Sequence, residues 1–402
     1  MRRIGSAAVA AVLSVALAGC WFQPGNGAGR SYSNDETTIT AANVSGLDVL
    51  WDADLAGNRS PVSVNGTIYT SNGTKVFALN ATTGAVKWQA GPFLIEGSED
   101  IFVTFGELLY VDGEVVASAA TGFASFDSGG VYRFNAQTGA STFVNRGTGS
   151  SYNVAEVGGE VAERWTDVVG SSGFGVTGIK WAFEPMVIHS GGGSGPQPGG
   201  FAFVGDRILW SYGNLATGYS AACPTNPWAN AGCGPDWQTD LGAKPIGPAR
   251  IDDTTAVYAD AGGTVSVLDA TTGAIEWTGE TGSVVTTRPA VDGDTILVGT
   301  FDGRVVAFPA DGCGAATCAP LWDVAVGDVP NRSLVIGGEV AYATTNNGNL
   351  VAFASGGCGA ATCPVLKTIA ANAITGDSIV VDAGRVLVPT GGGHLVAYGL
   401  PG

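Results

Sequence analysis

Short apolar runs separated by turn residues recur along most of the chain. In one well-preserved unit the candidate strands are Arg288 to Val291, Thr295 to Thr300, Val305 to Pro309 and Leu321 to Val326. Apolar and polar positions alternate in these runs, and Asp-Gly pairs separate several of them. Alternation with a period of two predicts β-strands, and Asp-Gly predicts tight hairpin turns. The pattern therefore predicts units of four short antiparallel strands in an all-β fold.

One cassette repeats almost letter for letter and sets the length of each unit. Residues 78–88 read ALNATTGAVKW, and residues 267–277 read VLDATTGAIEW. The closing tryptophan, or its replacement, recurs at eight positions: Trp51, Trp88, Phe143, Trp181, Trp237, Trp277, Trp322 and Lys367. Eight repeats of four strands, at about 40 to 50 residues each, predict an eight-bladed β-propeller of four-stranded antiparallel blades. We interpret Trp51, Trp88, Trp181, Trp237, Trp277 and Trp322 as blade-docking residues that pack between neighbouring blades.

The two ends of the chain complement each other. Residues 50–54 form a tryptophan strand with no hairpin before it, whereas the last unit stops at Gly402 before its own tryptophan strand. We predict that the N-terminal strand pairs with the C-terminal blade, because this closes the ring and leaves neither edge exposed.

The Leu/Phe-x-Ala-x-x-Gly-x-x-x-Trp cassette resembles the pyrroloquinoline-quinone (PQQ) repeat. Propellers of that family have eight blades, and they include quinoprotein alcohol dehydrogenases and a lipoprotein of the outer-membrane assembly machinery. The resemblance covers residues 47–402 and is weak between about residues 91 and 245. It implies a PQQ-like propeller domain over 47–402. It does not imply cofactor use, because function belongs to sites that are added to a fold.

Residues 1–19 have the pattern of an export signal. A basic start is followed by an apolar run from Ile4 to Leu17 and by small residues before Cys20. The sequence LAGC at 17–20 resembles the bacterial lipobox, in which the cysteine carries lipid after cleavage. The alternative is an ordinary signal peptide with an incidental cysteine. We expect lipidation of Cys20 and anchoring at the extracytoplasmic face of the cell membrane.

Residues 20–46 are rich in Gly, Asn, Ser and Thr, which predicts a flexible tether between the anchor and the propeller. Replacement of Trp21 in such a tether is expected to change stability very little.

The charge of the chain argues against a nucleic-acid partner. It has 18 basic and 35 acidic residues, and removal of the leader takes away two arginines, which leaves 16 against 35 and a net charge of −19. A phosphate-binding surface needs clustered basic residues, and the sequence has no such cluster. We expect a monomer that does not bind nucleic acid.

Six cysteines fall into three local pairs: Cys223 with Cys233, Cys313 with Cys318, and Cys358 with Cys363. In each pair the second cysteine lies four residues before the closing position of its unit, so all three occupy the same hairpin. A hairpin loop can bring two Cα atoms to the 5 to 6 Å that a disulfide needs. We predict three disulfides formed in an oxidising compartment. The alternative, a zinc or redox site, would have closer spacing and more histidines than the two in this chain.

The sequence shows no recognisable catalytic constellation. His394 falls at a strand start where sister units have threonine, arginine or asparagine, and His189 lies in a Gly/Pro-rich segment. Asp252 and Asp253 are adjacent, so on a strand they would face opposite ways. No Gly-x-Ser-x-Gly elbow occurs, nor the adjacent cysteines that the family's dehydrogenases place over the quinone. We expect no catalytic, cofactor-binding or metal-binding residues and no cofactor.

Residues 91–245 depart furthest from the cassette. A Gly/Ser/Pro insert occupies 190–200, and aromatic residues concentrate at Trp210, Tyr212, Tyr219 and Trp228. Long propeller loops carry binding sites, but divergence without functional pressure would give the same pattern.

Three functions remain open. The first is a membrane-anchored, exported propeller that binds or scaffolds cell-envelope proteins or polysaccharide and is not an enzyme. The second is an enzyme, either a quinone-dependent dehydrogenase or a propeller that acts on polysaccharide. The third is a sensor with a small molecule in its central channel.

Overall fold

The computed structural model describes residues 20–57, 59–94, 102–121, 130–145, 150–157, 160–166, 172–178, 201–220, 235–373 and 379–402. The predicted signal peptide lies outside these residues.

The described residues form eight β-sheets, which we number 1 to 8 in chain order of their hairpin strands. Sheet 1 comprises Val62–Val64, Thr67–Ser71, Val76–Asn80 and Val86–Ala90, and sheet 2 comprises Val103–Val111, Glu114–Thr121, Gly130–Asn135 and Ser141–Asn145. Sheet 3 comprises Ser150–Val157, Glu160–Thr166 and Ser172–Gly178. Sheet 4 comprises Phe201–Val204, Arg207–Tyr212, Leu215–Ser220 and Trp237–Asp240. Sheet 5 comprises Pro245–Arg250, Thr255–Asp260, Thr264–Asp269 and Ile275–Glu280, and sheet 6 comprises Ala290–Asp292, Thr295–Gly299, Arg304–Pro309 and Trp322–Ala325. Sheet 7 comprises Pro330–Gly337, Val340–Thr345, Asn349–Ala354 and Lys367–Ala370. Sheet 8 comprises Val380–Asp382, Arg385–Pro389 and His394–Gly399.

Three further strands join these sheets from elsewhere in the chain. Asp48–Asp54 pairs with sheet 8, Ser33–Asn34 with sheet 7 and Thr362–Cys363 with sheet 6. Among the described residues the helical content is one 3-10 turn, Val44–Gly46. For the described residues, the prediction of an all-β fold with several four-stranded antiparallel sheets is confirmed, although sheet 3 has three described strands.

Each sheet is a meander, and in most neighbouring pairs the first strands of the two sheets lie side by side. The first strand of sheet 7, Pro330–Gly337, contacts both Ala290–Asp292 of sheet 6 and Val380–Asp382 of sheet 8. The outer strand lies at the opposite edge of the meander. This is how the strands of propeller blades are arranged.

The burial of a strand depends on its place in the sheet. Val340–Thr345, a second strand, is buried at every residue, whereas the outer strand Ile275–Glu280 alternates between exposed and covered residues. Middle strands are covered on both faces by neighbouring sheets, so they have continuous apolar runs such as Ile296-Leu297-Val298. The alternation predicted from sequence therefore describes the outer strands best.

The N-terminal strand pairs with the C-terminal hairpin. Asp48–Asp54 runs antiparallel to His394–Gly399, from Asp48 opposite Gly399 to Asp54 opposite His394. It forms the outer edge of sheet 8. This is the strand pairing that the incomplete ends of the sequence predicted.

The expectation of a flexible tether at 20–46 is wrong. The side chains of Trp21, Gln23, Arg30, Tyr32 and Ile39 are each no more than 2% exposed. The backbone amide and carbonyl of Trp21 bond to Ser63 at 2.9 and 2.8 Å. Composition suggested a tether because it reports on side chains, whereas this segment is held largely by backbone hydrogen bonds.

None of the helices in the described ranges is long and apolar enough to span a membrane.

We expect Trp21→Ala and Trp51→Ala each to lower the free energy of unfolding by about 3 to 5 kcal/mol, since each removes a buried indole. Phe301→Ala is the control, because Phe301 is 64% exposed and its loss should cost less than about 0.5 kcal/mol. Urea unfolding measures all three. A Trp21 variant as stable as the Phe301 variant would contradict the packed N-terminal segment.

Candidate functional site

A tryptophan on the outer strand of one sheet packs on a glycine turn of the next. Trp51 Nε1 donates to the carbonyl oxygen of Ala81 at 2.9 Å. A Cβ on Gly84 would lie 2.7 Å from the Trp51 ring, and Gly84 has a φ of +70°. Only glycine fits such a turn without strain. We call this contact between a tryptophan and a glycine turn a joint. The same joint recurs twice: Trp88 with Ala136 and Gly139, and Trp237 with Ala270 and Gly273.

Five of the six tryptophans predicted from sequence are among the described residues, and all five lie at contacts between sheets. Trp51, Trp237, Trp277 and Trp322 are buried, and Trp88 is partly buried. Trp181 lies outside the described residues. Phe143, the replacement in sheet 2, is 40% exposed, and its ring lies tilted against that of Tyr132, with the centroids 4.8 Å apart.

Two disulfide loops replace the Thr-Thr-Gly turn in sheets 6 and 7. Cys313–Cys318 and Cys358–Cys363 each have a Cα–Cα distance of 5.6 Å. The glycine directly before each loop contacts the preceding tryptophan: a Cβ on Gly312 would lie 2.8 Å from Trp277. The corresponding distance from Gly357 to Trp322 is 2.6 Å.

Each disulfide loop also covers the outer edge of the preceding sheet. The amide of Thr278 donates to Ala316 at 3.0 Å, and the amide of Cys318 donates to Thr278 at 2.8 Å. In the next sheet, Cys363 pairs in parallel with Val324 as part of an added strand. The loops therefore act as clasps between neighbouring sheets and leave fewer unpaired edge groups.

The predictions for the remaining cysteines have different outcomes. Two of the three disulfides are present, whereas Cys223 and Cys233 lie outside the described residues. Cys20 is a free, partly exposed thiol, and it packs with Phe22 against the core shared by sheets 1 and 2.

The candidate acid–base residues that the structure describes form contacts with neighbouring side chains and backbone amides. His394 Nδ1 lies 2.7 Å from Asp52 Oδ1, across the strand pair that joins the two ends of the chain. Asp252 accepts hydrogen bonds from the amides of Thr254 and Thr255. Burial would raise the pKa of Asp252, but these hydrogen bonds outweigh it and the pKa is lowered. His189 is outside the described residues.

A buried carboxyl that sequence reasoning missed lies where sheets 1 and 8 meet. The Ser63 hydroxyl donates to Asp382 at 2.5 Å. Burial is the main cause that raises the pKa of Asp382 to about 6; Ser63 and Arg385 oppose the rise and Glu36 adds to it. No sequence pattern marks Asp382, because Asp-Ala-Gly at 382–384 looks like any other hairpin turn.

An acidic groove among the described residues is a poor match for the quinone cofactor that the repeat's name implies. Pyrroloquinoline quinone is a flat tricarboxylate that needs cationic or donor partners. A groove of about 640 Å³ between the N-terminal segment and sheets 6 and 7 is lined by Asp35, Glu36, Asp292 and Glu339. Burial and then the charges of Asp35 and Asp294 raise the pKa of Asp292, as a negative groove would. In the part of the chain that the structure describes, no three His, Cys, Asp or Glu side chains are grouped to hold a metal.

Fold, repeat and joints together define a PQQ-like repeat propeller. A family model described as outer membrane protein assembly factor BamB matches residues 35–182 and 213–358. The chain therefore belongs to this family. No curated protein matches the sequence significantly.

Solved structures of two functional kinds have a similar fold. Quinohemoprotein alcohol dehydrogenase from Comamonas testosteroni has a TM-score of 0.67 at 15% identity, over 96% of this chain and 81% of that one. The dehydrogenase ADHIIG from Pseudomonas putida HK5 has 0.66 at 12% identity, over 95% and 80%. BamB from Moraxella catarrhalis has 0.56 at 16% identity, over 88% and 97%. At these identities the likeness shows the fold alone.

We expect replacement of both Cys313 and Cys318 by serine to lower the free energy of unfolding by about 2 kcal/mol, the usual value for a short loop. Hydrogen exchange at the amide of Thr278 should accelerate as its clasp loosens. The matched control replaces both Cys358 and Cys363 by serine. In that variant, exchange should accelerate at the amide of Asp323, which donates to Ala361. Equal acceleration at both amides in either variant would contradict separate clasps.

We expect the contribution of Asp382 to the stability of the folded protein to fall as the pH rises from about 4 to above 6. The folded-state pKa of Asp382 is raised to about 6, so the folded protein binds this proton more tightly than the unfolded chain does. The contribution is complete below the unfolded pKa and is lost as the pH rises through 6; it amounts to about 2 to 3 kcal/mol.

Asp382→Asn should remove this dependence and be the more stable protein above pH 7, by urea unfolding across the pH range. Asp252→Asn controls the sign, because the pKa of Asp252 is lowered and its effect runs the other way. An Asp382→Asn variant with the wild-type pH slope would show that Asp382 is not the group responsible.

Proposed function

We propose that the chain is an exported, lipid-anchored propeller of eight blades that binds or scaffolds other components of the cell envelope and catalyses no reaction. The observation that carries this proposal is the match of residues 35–182 and 213–358 to a family described as an outer-membrane protein assembly factor. The roles of the recurring tryptophans and glycines as joints between sheets agree with it.

The closed ring of eight blades is supported by contacts between the first and last sheets. Trp51, on the outer strand of sheet 8, donates to Ala81 in sheet 1. The inner strands of the same two sheets meet at Ser63 and Asp382. Sheet 8 thus contacts sheet 1 at both its inner and its outer strand, as neighbouring blades do.

The anchored and exported state is supported by the leader and by the cysteines. The LAGC sequence ends in Cys20, whose thiol forms no disulfide among the described residues. The disulfides of sheets 6 and 7 need an oxidising compartment. The partners that we propose are envelope proteins, with polysaccharide as the alternative; the propeller is a monomer held at the membrane by its lipid.

The alternative is a quinone-dependent dehydrogenase, which the likeness to two quinohemoprotein alcohol dehydrogenases favours. Purified protein should be titrated with pyrroloquinoline quinone and Ca²⁺ while quinone fluorescence and alcohol-dependent dye reduction are recorded. The scaffold proposal expects neither binding nor turnover, and turnover would overturn it.

The scaffold role itself is tested by crosslinking in intact cells. Tagged wild type should capture a reproducible set of envelope proteins, and the Cys20→Ser form should lose that set while it remains folded by circular dichroism. Identical capture by both forms would contradict a role that depends on anchoring.

We expect Cys20→Ser to accumulate as unprocessed precursor or to leave the membrane fraction, because thioether lipidation needs the thiol. Incorporation of labelled acyl chains should be absent. Cys313→Ser is the control, since it also removes a cysteine, from the Cys313–Cys318 disulfide, but should retain both processing and label. A Cys20→Ser protein that is cleaved and retained in the membrane like wild type would contradict the anchor.

A further inference from the structure

Residues 20–36, which we call the axial strap, contact the first strands of the sheets in sequence. Trp21 forms its two backbone bonds with Ser63 of sheet 1. Five further strap carbonyls accept backbone amides at 2.7 to 2.9 Å, in sheets 2, 4, 5, 6 and 7: Phe22 from Tyr110, Ala28 from Phe203, Gly29 from Arg250, Ser31 from Val291 and Tyr32 from Ile336.

The contacted residues occupy equivalent positions. Each of the six lies at, or one residue before, the end of its strand; Ser63 in Val62–Val64 and Ile336 in Pro330–Gly337 are examples. Sheet 8 joins the series through side chains, because Asn34 Nδ2 donates to Val381 and Glu36 Oε2 accepts the amide of Gly384. One short segment therefore visits the same end of the innermost strands around the fold.

We propose that the axial strap closes one mouth of the propeller axis and locks the blades to one another. This rests on the closed ring of the proposed function. First strands line the axis of such a ring. A segment bound near the ends of seven of these strands, and to the eighth at Val154, therefore lies across the axis. Any small molecule that enters the channel must then use the opposite mouth.

An ion pair anchors the strap at sheets 2, 3 and 4, where the repeat cassette is weakest. The Arg30 guanidinium, 2% exposed, holds both carboxylate oxygens of Glu107 at 3.2 and 3.0 Å. It also donates to the carbonyl of Val154 at 3.2 Å and lies 4.8 Å from the centre of the Phe201 ring. A bidentate buried pair of this kind fixes geometry, because removal of either partner leaves a buried charge.

The strap also fits too closely to act as a loose cover. A Cβ on Gly29 would lie 2.6 Å from Arg250 Cδ and 2.7 Å from Arg250 Cβ. Release of the strap would leave the six contacted amides without acceptors, and unpaired buried amides are costly. Both the close packing at Gly29 and the hydrogen bonds of the contacted amides favour a strap that stays bound.

Hydrogen exchange of the mature protein in detergent tests the strap. In wild type, the amides of Tyr110, Phe203, Arg250, Val291 and Ile336 should exchange about 100-fold or more slowly than exposed loop amides. In Gly29→Val and in Arg30→Met, all five should accelerate together by at least about 10-fold, while the amides of Ile296 to Val298 in a middle strand remain protected. Gly46→Ala is the matched control, since its Cβ would meet nothing closer than 3.6 Å.

Acceleration confined to the sheet next to the substitution would overturn the lock, and loop-like exchange of the five amides in wild type would overturn the strap itself. If Gly29→Val does not fold, Gly29→Ala makes the same contact with a single methyl group. Failure of the proposed function would give results that differ from failure of the strap proposal. An open ring appears as rapid exchange of Asp48–Asp54 with the strap still protected, whereas loss of the anchor or quinone turnover leaves strap exchange unchanged.

Discussion

The contact between a tryptophan and the glycine turn of the next sheet holds the fold together. At Trp51, Trp88 and Trp237 a backbone carbonyl also accepts the indole N–H, as Ala81 does for Trp51. The turn glycine has no Cβ and a positive φ, so the ring can lie flat against its backbone. These joints and the packed first strands connect the separate meanders, and the disulfide clasps and the axial strap add to them.

The joints explain why the fold was readable from sequence and the N-terminal segment was not. A joint needs one residue type at each of two positions, Trp88 and Gly139 for example, so it leaves a periodic mark. The strap binds through carbonyl groups, which every residue has, and so its partners leave no mark at Phe203 or Val291. Arg30 is a lone cation in a Gly-rich stretch, and nothing in the sequence links it to Glu107, 77 residues away.

The candidate site divides in the same way. Cysteine spacing was enough to predict the disulfides of sheets 6 and 7, because the loop that closes is local. Their second role, covering the outer edge of the neighbouring sheet, depends on how Thr278 and Ala316 approach in space and could not be predicted. The raised pKa of Asp382 likewise arises from burial between two sheets that are distant in sequence. Asp382 and its contact residue Ser63 are 319 residues apart.

The pairing of the two chain ends has a consequence for how the protein is made. Asp52 and His394 are separated by 342 residues, so the outer strand of sheet 8 is synthesised first and finds its partner last. Contacts of such high sequence separation form slowly. The strap is in the same position, because it must wait for sheets 5 to 8. Until the final hairpin has been synthesised, the N-terminal segment has no complete binding surface. A chain truncated anywhere in its last sheet therefore loses contacts at its beginning as well as at its end.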